Sequence, residues 1–303
     1  MSKPLVVVFG ATGKQGGSVA RALARSGEFS VRGVTRDESG ARVQELREAG
    51  VELVTFDPTE SKGLERILNN AFACFVNTYT DFDDVNCLDT EIAHGCLIAD
   101  YCKSANVQHV IFSSQLHSNK ICSLMARHLV AKAEVEQYMR DIDLPLTCLI
   151  MPVYYEDILD IFKPQTADGK TYDIQIPMGT TPLDMMSVED VGPIVLTVLR
   201  HRNQYLSKTV SVCGDKITVR EMAQVLGKYL KPRLFKDKQI TAYDFQTKRS
   251  GDLKGSADWA NMFQFFQRVD QKYNLSVTKQ MSPEVRTFDT WVQQNQARIN
   301  TCL

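Results

Sequence analysis

The sequence predicts an α/β protein built on a doubly wound parallel sheet, and two observations predict it. Short apolar runs alternate with segments of helical apolar spacing through the first half of the chain. A glycine-rich turn at residues 10–17 joins the first apolar run to the first helical segment. Strands that alternate with helices pair in parallel through right-handed crossovers. We therefore expect the strand order 3-2-1-4-5-6, with a ligand at the carboxyl ends of the strands near the switch point.

The apolar pattern predicts strands and helices in strict alternation. The first strand, residues 5–9, is Val-rich and continuously apolar, as expected for a strand buried on both faces. The following strands are predicted at 29–35, 51–56, 73–76, 107–113 and 146–151. The helices between them are predicted at 14–26, 41–49, 63–69, 89–104 and 124–141. Gly27 and Gly50 end the first two helices, since glycine readily adopts the left-handed conformation that terminates a helix.

The second half is less regular and predicts a smaller lobe. Proline and glycine punctuate residues 152–182, which indicates loops and short strands. Capping patterns begin three helices, at Ser187-Val-Glu-Asp190, Thr218-Val-Arg-Glu221 and Ser282-Pro283-Glu284. We therefore divide the chain into a sheet domain over residues 1–152 and a smaller α+β lobe over 153–303, with the 187–200 helix packing back on the first domain.

Composition excludes several functional classes. The 303 residues are 44% hydrophobic and 23% charged, with a net charge of −1, which argues against disorder and against tracking a nucleic acid or membrane surface. No stretch approaches the roughly 18 apolar residues of a membrane helix. The eight cysteines form no CxxC and no metal-finger spacing, so we expect no metal site and reduced thiols in an intracellular, cytoplasmic protein.

The strongest motif is Gly10-Ala11-Thr12-Gly13-Lys14-Gln15-Gly16, between the first strand and the first helix. The first glycine permits a tight turn, the second lets the backbone approach a pyrophosphate, and the third allows close packing of helix on strand. The N–H groups at the helix start then bind the anion. The GxxGxxG spacing is typical of the short-chain dehydrogenase superfamily. It predicts a Rossmann dinucleotide-binding domain, the alternative being a tight turn without a ligand.

The end of the second strand selects the cofactor. An NAD site usually presents an acid there, but this sequence has Thr35-Arg36, 20 residues after Gly16. A guanidinium can pair with a 2′-phosphate and stack on adenine, so Arg36 favours NADP(H), with Lys14 adding positive charge. Two alternatives remain: Asp37 could serve as the acid if the register shifts by one, and Arg36 could be a solvated loop charge.

Polar residues also end the next three strands. Asp57 is expected to accept a hydrogen bond from the adenine amino group, or else to cap a helix beginning at Pro58. Thr78, Tyr79 and Thr80 follow the fourth strand, beside the expected pyrophosphate and ribose. Ser113 ends the fifth strand, where the superfamily often keeps a catalytic serine.

The helix after the fifth strand lacks the usual catalytic acid. Short-chain reductases place Tyr-x-x-x-Lys there, because four residues put both side chains on one helical face. Here the pair is His128 and Lys132. Lys132 can still bond the nicotinamide ribose, whereas His128 is either an acid of unusual type or a helix-surface residue. We assign no catalytic residue; the candidates, should the protein be an enzyme, are Lys132, His128 and Ser113.

Five segments, taken in order, resemble the NmrA-like family and especially its animal branch: 6–19, 132–138, 151–157, 186–192 and 258–263. The resemblance implies a Rossmann-type NADP-binding domain with a smaller C-terminal lobe. It implies an NADP(H)-responsive regulator, related to fungal repressors of nitrogen metabolism. The animal branch is associated with redox sensing, self-association and control of protein partners in cytoplasm and nucleus.

The resemblance also implies the cofactor contacts. They are Gly10, Ala11, Thr12, Gly13, Lys14, Gln15, Arg36, Asp57, Thr78, Tyr79, Thr80, Lys132, Tyr154, Tyr155, Glu156 and Asp157. Two segments depart from the family pattern. Ser113-Ser114-Gln115 replaces Ser-Gly, which predicts a narrower nicotinamide pocket, and Tyr155-Glu156-Asp157 replaces Phe-Glu-Asn, which adds a negative charge.

Two other functions compete with the regulator. An NADPH-dependent reductase of the isoflavone-reductase kind could use Lys132 without a tyrosine. Direct DNA binding is suggested only by the repressor relatives, and the basic run 228–238 contains no base-reading motif, so a solvated face explains it better. The aromatic stretch 259–266 is expected to be core of the smaller lobe, or else a partner or dimer surface.

Overall fold

The computed structural model describes residues 2–57 and 63–303, and the chain falls into two compact units. Unit 1 comprises Met1–His117, His128–Met151 and Glu189–Val210. Unit 2 comprises Ser118–Arg127, Pro152–Val188 and Ser211–Leu303. Neither unit is continuous in sequence, and the helix that follows residue 188 belongs to unit 1.

Strands and helices alternate through the first half of the chain, and most elements in the second half are shorter. The strands are β1 (Leu5–Phe9), β2 (Ser30–Thr35), β3 (Glu52–Thr55), β4 (Ala71–Val76), β5 (His109–Ser114), β6 (Leu146–Ile150), β7 (Val153–Tyr154), β8 (Gln165–Thr166), β9 (Thr171–Ile174), β10 (Leu183–Met186), β11 (Thr209–Ser211), β12 (Asp215–Ile217) and β13 (Leu234–Asp237). The helices are α1 (Lys14–Ser26), α2 (Ala41–Glu48), α3 (Leu64–Leu68), α4 (Cys87–Ser104), α5 (Ser118–Cys122), α6 (Arg127–Asp141), α7 (Val191–Arg200), α8 (Arg202–Tyr205), α9 (Val219–Tyr229), α10 (Ala242–Arg249), α11 (Ser256–Arg268), α12 (Leu275–Met281), α13 (Phe288–Gln294) and α14 (Gln296–Cys302). Short 3-10 helices occupy Tyr155–Leu159 and Val188–Asp190.

The central sheet has the order β11-β6-β5-β4-β1-β2-β3, and β1 to β6 pair in parallel. The predicted order 3-2-1-4-5-6 is therefore confirmed, and the prediction of a doubly wound α/β fold with it. The edge strand β11 was not predicted. Because β1 lies between β2 and β4, the sheet reverses its direction of winding there. The loops after these strands consequently border the crevice in which such folds bind ligands.

Strand β1 forms the middle of the core of unit 1. Val6, Val7 and Val8 are fully buried, as the continuous apolar run predicted for a strand covered on both faces. β4 and β5 flank the same core with residues such as Phe75 and Phe112, which are also fully buried. This burial anchors the carboxyl ends of the strands, where the predicted site residues follow.

Helix α7 packs on α1 within unit 1. A Cβ on Gly192 would lie 2.3 Å from the Ser18 carbonyl oxygen, so the two helices touch backbone to backbone. The Ser18 hydroxyl accepts from the Gly192 N–H at 3.0 Å and donates to the Glu189 carbonyl at 3.0 Å. Arg21 adds an ion pair to the Glu189 carboxylate at 2.7 Å. These contacts join the 189–210 segment to the first helix of the sheet unit.

Unit 2 contains two small sheets and a set of helices. One sheet has the order β12-β10-β7 and mixes parallel and antiparallel pairs. The other has the order β13-β9-β8 and is likewise mixed. In α11, Met262, Phe263 and Phe265 are buried, which confirms that much of the aromatic stretch 259–266 belongs to the core of this unit.

The helix after Thr218 begins with the predicted cap, the helix after Ser187 begins where predicted, and the helix start at Ser282 is wrong. The Thr218 hydroxyl accepts from the Glu221 N–H, forming the predicted capping box at α9. The Ser187 hydroxyl donates to Glu156, and the helix begins at Val188 as a 3-10 turn and continues as α7 to Arg200. Ser282 begins no helix; α13 starts at Phe288, capped by the Thr287 hydroxyl. At Ser187 a partner distant in sequence takes the hydroxyl proton, and at Ser282 a later cap, Thr287, sets the helix start.

Within the described residues, none of the helices combines the length and low polarity that crossing a bilayer requires. Over the same residues, no cluster of three or more His, Cys, Asp or Glu side chains could hold a metal ion.

A buried histidine in β5 makes stability depend on pH. His109 is fully buried, and its Nε2 lies 2.8 Å from the Thr147 hydroxyl. That hydroxyl donates to the Tyr205 carbonyl, so it must accept from His109, which fixes the neutral tautomer with the proton on Nε2. Burial, together with the positive charge of Arg202, lowers the pKa of His109 to about 4.

The free energy of unfolding should therefore fall on acidification. The unfolded chain takes up the histidine proton near pH 6.5, whereas the folded chain takes it up only near pH 4. Between these values the loss reaches about 3 kcal/mol, and below them it changes no further. Denaturant unfolding of wild type and His109→Gln at several pH values between 7 and 4 measures it. Identical pH dependence in the two proteins would contradict this assignment.

Candidate functional site

The glycine turn presses α1 against the end of β1. Gly10 has φ +67°, the left-handed region, and a Cβ on Gly16 would lie 2.2 Å from the Gly10 carbonyl oxygen. A side chain at position 16 would therefore push the helix away from the strand. The Ala11 N–H donates to the Val34 carbonyl at 3.0 Å, which ties the turn to the neighbouring strand β2.

The start of α1 is equipped to receive an anion. Its N-cap is Gly13, which provides no side-chain cap, and its first turn contains no acidic residue. Because that turn contains no acidic side chain, the helix dipole gives it positive potential. Within the described chain, the buried side-chain oxygens of Gln15 and Asn77 have no hydrogen-bond partner. Buried polar atoms normally have partners, so this pair fits a site completed by a ligand.

A cavity of about 300 Å³ follows β2, and two guanidinium groups border it. It is lined by Thr12, Thr35, Arg36, Asp37, Ser39, Gly40, Ala41 and Arg42. The Arg36 guanidinium lies over the Tyr79 ring, 4.9 Å from its centroid, and Arg42 donates to the Thr12 carbonyl at 3.1 Å. The sequence reading missed Arg42, although its position in the first turn of the helix after β2 was a usable signal.

Asp37 is the acid that could have bound the ribose of NAD in place of Arg36, and its carboxylate is hydrogen-bonded within a local turn. Its carboxylate accepts from the Ser39 hydroxyl at 2.5 Å and from the Ser39 N–H at 2.9 Å. The side-chain hydrogen bond first, and then the backbone one, lower the pKa of Asp37. The carboxylate is therefore ionised and bonded to Ser39, and the charged residues that line the cavity, Arg36, Arg42 and Asp37, leave one net positive charge.

A buried carboxylate, Glu91, joins three of the predicted cofactor residues. The Lys132 ammonium lies 2.5 Å from Glu91 Oε1 and also donates to the Thr78 carbonyl at 3.1 Å. The Thr78 hydroxyl donates to Glu91 at 2.5 Å, and the Thr80 hydroxyl donates to its other oxygen. Burial alone would raise the pKa of Glu91, but the Lys132 charge and these hydrogen bonds outweigh it and lower the pKa.

The lack of a side chain at Gly95 explains why Glu91 and Lys132 can pair. A Cβ on Gly95 would lie 2.4 Å from a Val135 methyl, so α4 and α6 approach closely at that point. Glu91 and Lys132 each lie one helical turn before this contact and therefore face each other. The sequence reading missed Glu91. A signal was present, because Glu91, Gly95, Ile98 and Cys102 form the buried stripe of α4 and only one of them is charged.

The catalytic candidates Ser113 and His128, and the residues next to Ser113, are buried or in contact with other side chains and backbone groups. Ser113 is buried within β5, and the Ser114 hydroxyl donates to Glu136. Gln115, one of the departures from the family pattern, donates to the Met151 carbonyl at 2.8 Å. The His128 ring packs edge-on against Phe82, with 5.7 Å between the ring centroids.

Residues 154–157 lie in unit 2 and make internal contacts there. Tyr155 is fully buried against Phe288 and Trp291 and donates to the Arg286 carbonyl at 3.1 Å. Glu156 accepts from the Ser187 hydroxyl, the Val188 N–H and the Trp291 indole at 2.7, 2.9 and 3.0 Å. Asp157 accepts from the Tyr154 N–H and caps the short 3-10 helix. The added negative charge at position 157 thus caps a short helix. A cofactor role for residues 154–157 stays a prediction.

The predicted residues of unit 1 end neighbouring parallel strands. Gly10 follows β1, Arg36 follows β2, and Thr78 to Thr80 follow β4, so they share one edge of the sheet. Asp57 is exposed just after β3, and the helix start predicted at Pro58 lies outside the described residues.

The sequence profile of the NmrA-like family matches residues 2–292. Among curated relatives, the NmrA-like family domain-containing oxidoreductase cpsB of Aspergillus campestris is 31% identical over 237 residues, covering 71% of this chain and 69% of the relative. The family profile thus matches both units of the chain.

Solved structures agree on the fold. NmrA, a negative transcriptional regulator crystallised in complex with NADP, superposes with a TM-score of 0.82 at 18% identity, over 99% of this chain and 98% of that one. A complex of the same regulator with NAD has a TM-score of 0.84 at 18% identity, again over 99% and 98%. The triphenylmethane reductase of Citrobacter sp., complexed with NADP(H), gives 0.77 at 14% identity over 96% and 99%.

The close approach of α4 and α6 predicts the effect of a one-carbon substitution. Gly95→Ala should lower the free energy of unfolding by about 1–3 kcal/mol, because its Cβ would overlap Val135. Gly227→Ala is the matched control. It lies inside α9 with no heavy atom within 4 Å of the added carbon, so it should stabilise by up to about 1 kcal/mol. Denaturant unfolding measures both; equal effects of the two substitutions would contradict the helix contact.

Proposed function

The chain belongs to the NmrA-like family, and from that premise we propose that unit 1 binds NADP(H) and that the protein is a regulator that responds to this dinucleotide. The observation that carries the proposal is the cavity after β2, which places Arg36 and Arg42 beside the glycine turn. A 2′-phosphate is a dianion, for which two guanidinium groups are suitable partners.

The residues around the turn support the same ligand. The start of α1 would hold the pyrophosphate with its N–H groups, and Arg36 and Arg42 would hold the 2′-phosphate. Helix α2 also begins at this cavity, and its N-cap, Gly40, provides no side-chain cap. When bound, the nicotinamide ring of NADP(H) supplies hydride chemistry; this chain contributes binding and orientation.

The surroundings of Lys132 favour a regulator over a dehydrogenase. A reductase of this superfamily needs a lysine that lowers the pKa of a nearby acid. Here the Lys132 ammonium is bonded to Glu91 and Thr78, and His128 stands where the acid would be. We infer that the response passes to protein partners or to self-association, in the cytoplasm and the nucleus, as in the regulators that the sequence resembles.

Direct DNA binding is not part of this proposal. Within unit 2, Lys228 of the basic run 228–238 pairs with Asp289 at 2.9 Å. Lys236 and Lys238 both pair with Asp173, at 3.4 and 2.8 Å. These acids neutralise part of the positive charge that phosphate binding would require.

A second candidate is an NADPH-dependent reductase that uses Lys132. The relative cpsB is called an oxidoreductase, and Lys132 stands at the position of the superfamily lysine. NADPH consumption with a panel of carbonyl and quinone substrates tests it, and the regulator predicts a rate no higher than that without substrate. Consumption that Lys132→Ala abolishes, with NADPH binding retained, would establish the reductase instead.

Arg36→Ala should weaken NADP(H) binding selectively. Losing a charge-assisted contact to the 2′-phosphate should raise the Kd for NADP(H) by about ten- to a hundredfold and leave NAD(H) binding nearly unchanged. Arg66→Ala, which removes an exposed cation from α3, serves as the control. Calorimetric titration of each variant with both dinucleotides measures the ratio. An equal loss for NAD(H) and NADP(H) would contradict the 2′-phosphate role.

A further inference from the structure

The ion pair of Glu91 and Lys132 lies among residues predicted to hold the nicotinamide end of the dinucleotide. The Glu91 side chain is fully buried and that of Lys132 is only 13% exposed. Burying a carboxylate costs free energy unless it is paired, and a buried pair adds little net stability compared with apolar packing. A functional role therefore explains this carboxylate better than a structural one.

The contacts of the pair fix its charge balance. One positive charge on Lys132 meets one negative charge on Glu91 at 2.5 Å. The other groups bonded to the pair, the Thr78 carbonyl and the Thr78 and Thr80 hydroxyls, are neutral. The pair as a whole therefore presents no net charge to a ligand beside it.

Charge is also what distinguishes the two redox forms of the ligand. The nicotinamide ring carries a formal positive charge in NADP⁺ and none in NADPH. A bare lysine ammonium at the nicotinamide ribose would repel the oxidised ring and leave the reduced ring unaffected. A carboxylate bonded to that ammonium cancels most of the repulsion.

We propose that Glu91 determines the preference between NADP⁺ and NADPH by neutralising Lys132. Removing the carboxylate would bias the site towards NADPH, and removing the ammonium as well would abolish that bias. This inference rests on the proposed binding of NADP(H) in unit 1.

Glu91→Gln tests the inference, because glutamine keeps the shape and one oxygen acceptor but removes the charge. The ratio of the Kd for NADP⁺ to the Kd for NADPH, measured by calorimetry at about pH 8, should rise about five- to tenfold. In Glu91→Gln combined with Lys132→Met, both charges are absent and the ratio should return to the wild-type value.

A matched control removes a carboxylate from a different ion pair. Glu52 pairs with Arg32 at 3.1 Å, is 55% exposed and begins β3, at the opposite end of the sheet from the predicted site. Glu52→Gln should leave the ratio unchanged. Thermal unfolding of each variant verifies that the proteins titrated are folded.

Lys132→Met alone gives a second arm that does not depend on Glu91→Gln folding. It removes the cation, and burial then raises the pKa of the unpaired Glu91 carboxyl, so the ratio should lie at or below the wild-type value and not above it. An unchanged or lower ratio in Glu91→Gln, or a higher ratio in Lys132→Met, would overturn the role of Glu91. If the wild-type chain binds neither form, the proposed function itself fails, and the inference fails with it.

Discussion

The contact between α1 and the Gly10 carbonyl is the constraint on which the rest of unit 1 depends. With no side chain at Gly16, the helix begins directly against the end of β1. The lack of a side chain at Gly192 likewise lets α7 pack against α1 at Ser18. Because α1 is held at both points, its N–H groups stay aimed at the carboxyl end of the central strand. The loops after β2 and β4 are then positioned relative to a fixed helix start.

Charge is arranged locally around that helix start, although the chain as a whole is nearly neutral, with a net charge of −1. The cavity after β2 is cationic because the two guanidinium groups of Arg36 and Arg42 outnumber the one carboxylate, Asp37. At Lys132 the positive charge is cancelled by Glu91. One end of the proposed ligand thus meets excess positive charge and the other meets a balanced pair. This asymmetry suits a dinucleotide whose phosphates are always anionic and whose ring changes charge.

The features predictable from sequence were those set by local pattern. Continuous apolar runs located the strands, the glycine spacing located the turn, and Thr218 located a helix start. The features missed depend on contacts distant in sequence. Glu91 acquires its role from Lys132 on another helix, and the Ser187 hydroxyl donates to Glu156. Local propensity cannot report such partners, because each is decided by tertiary packing.

The central claim is that the turn at residues 10–16 and the cavity after β2 together form one dinucleotide site. A crystal structure of the chain grown with NADP⁺ tests it most directly. The account predicts the pyrophosphate at the start of α1 and the 2′-phosphate between Arg36 and Arg42. A dinucleotide bound elsewhere, or one whose 2′-phosphate touches neither guanidinium, would contradict it.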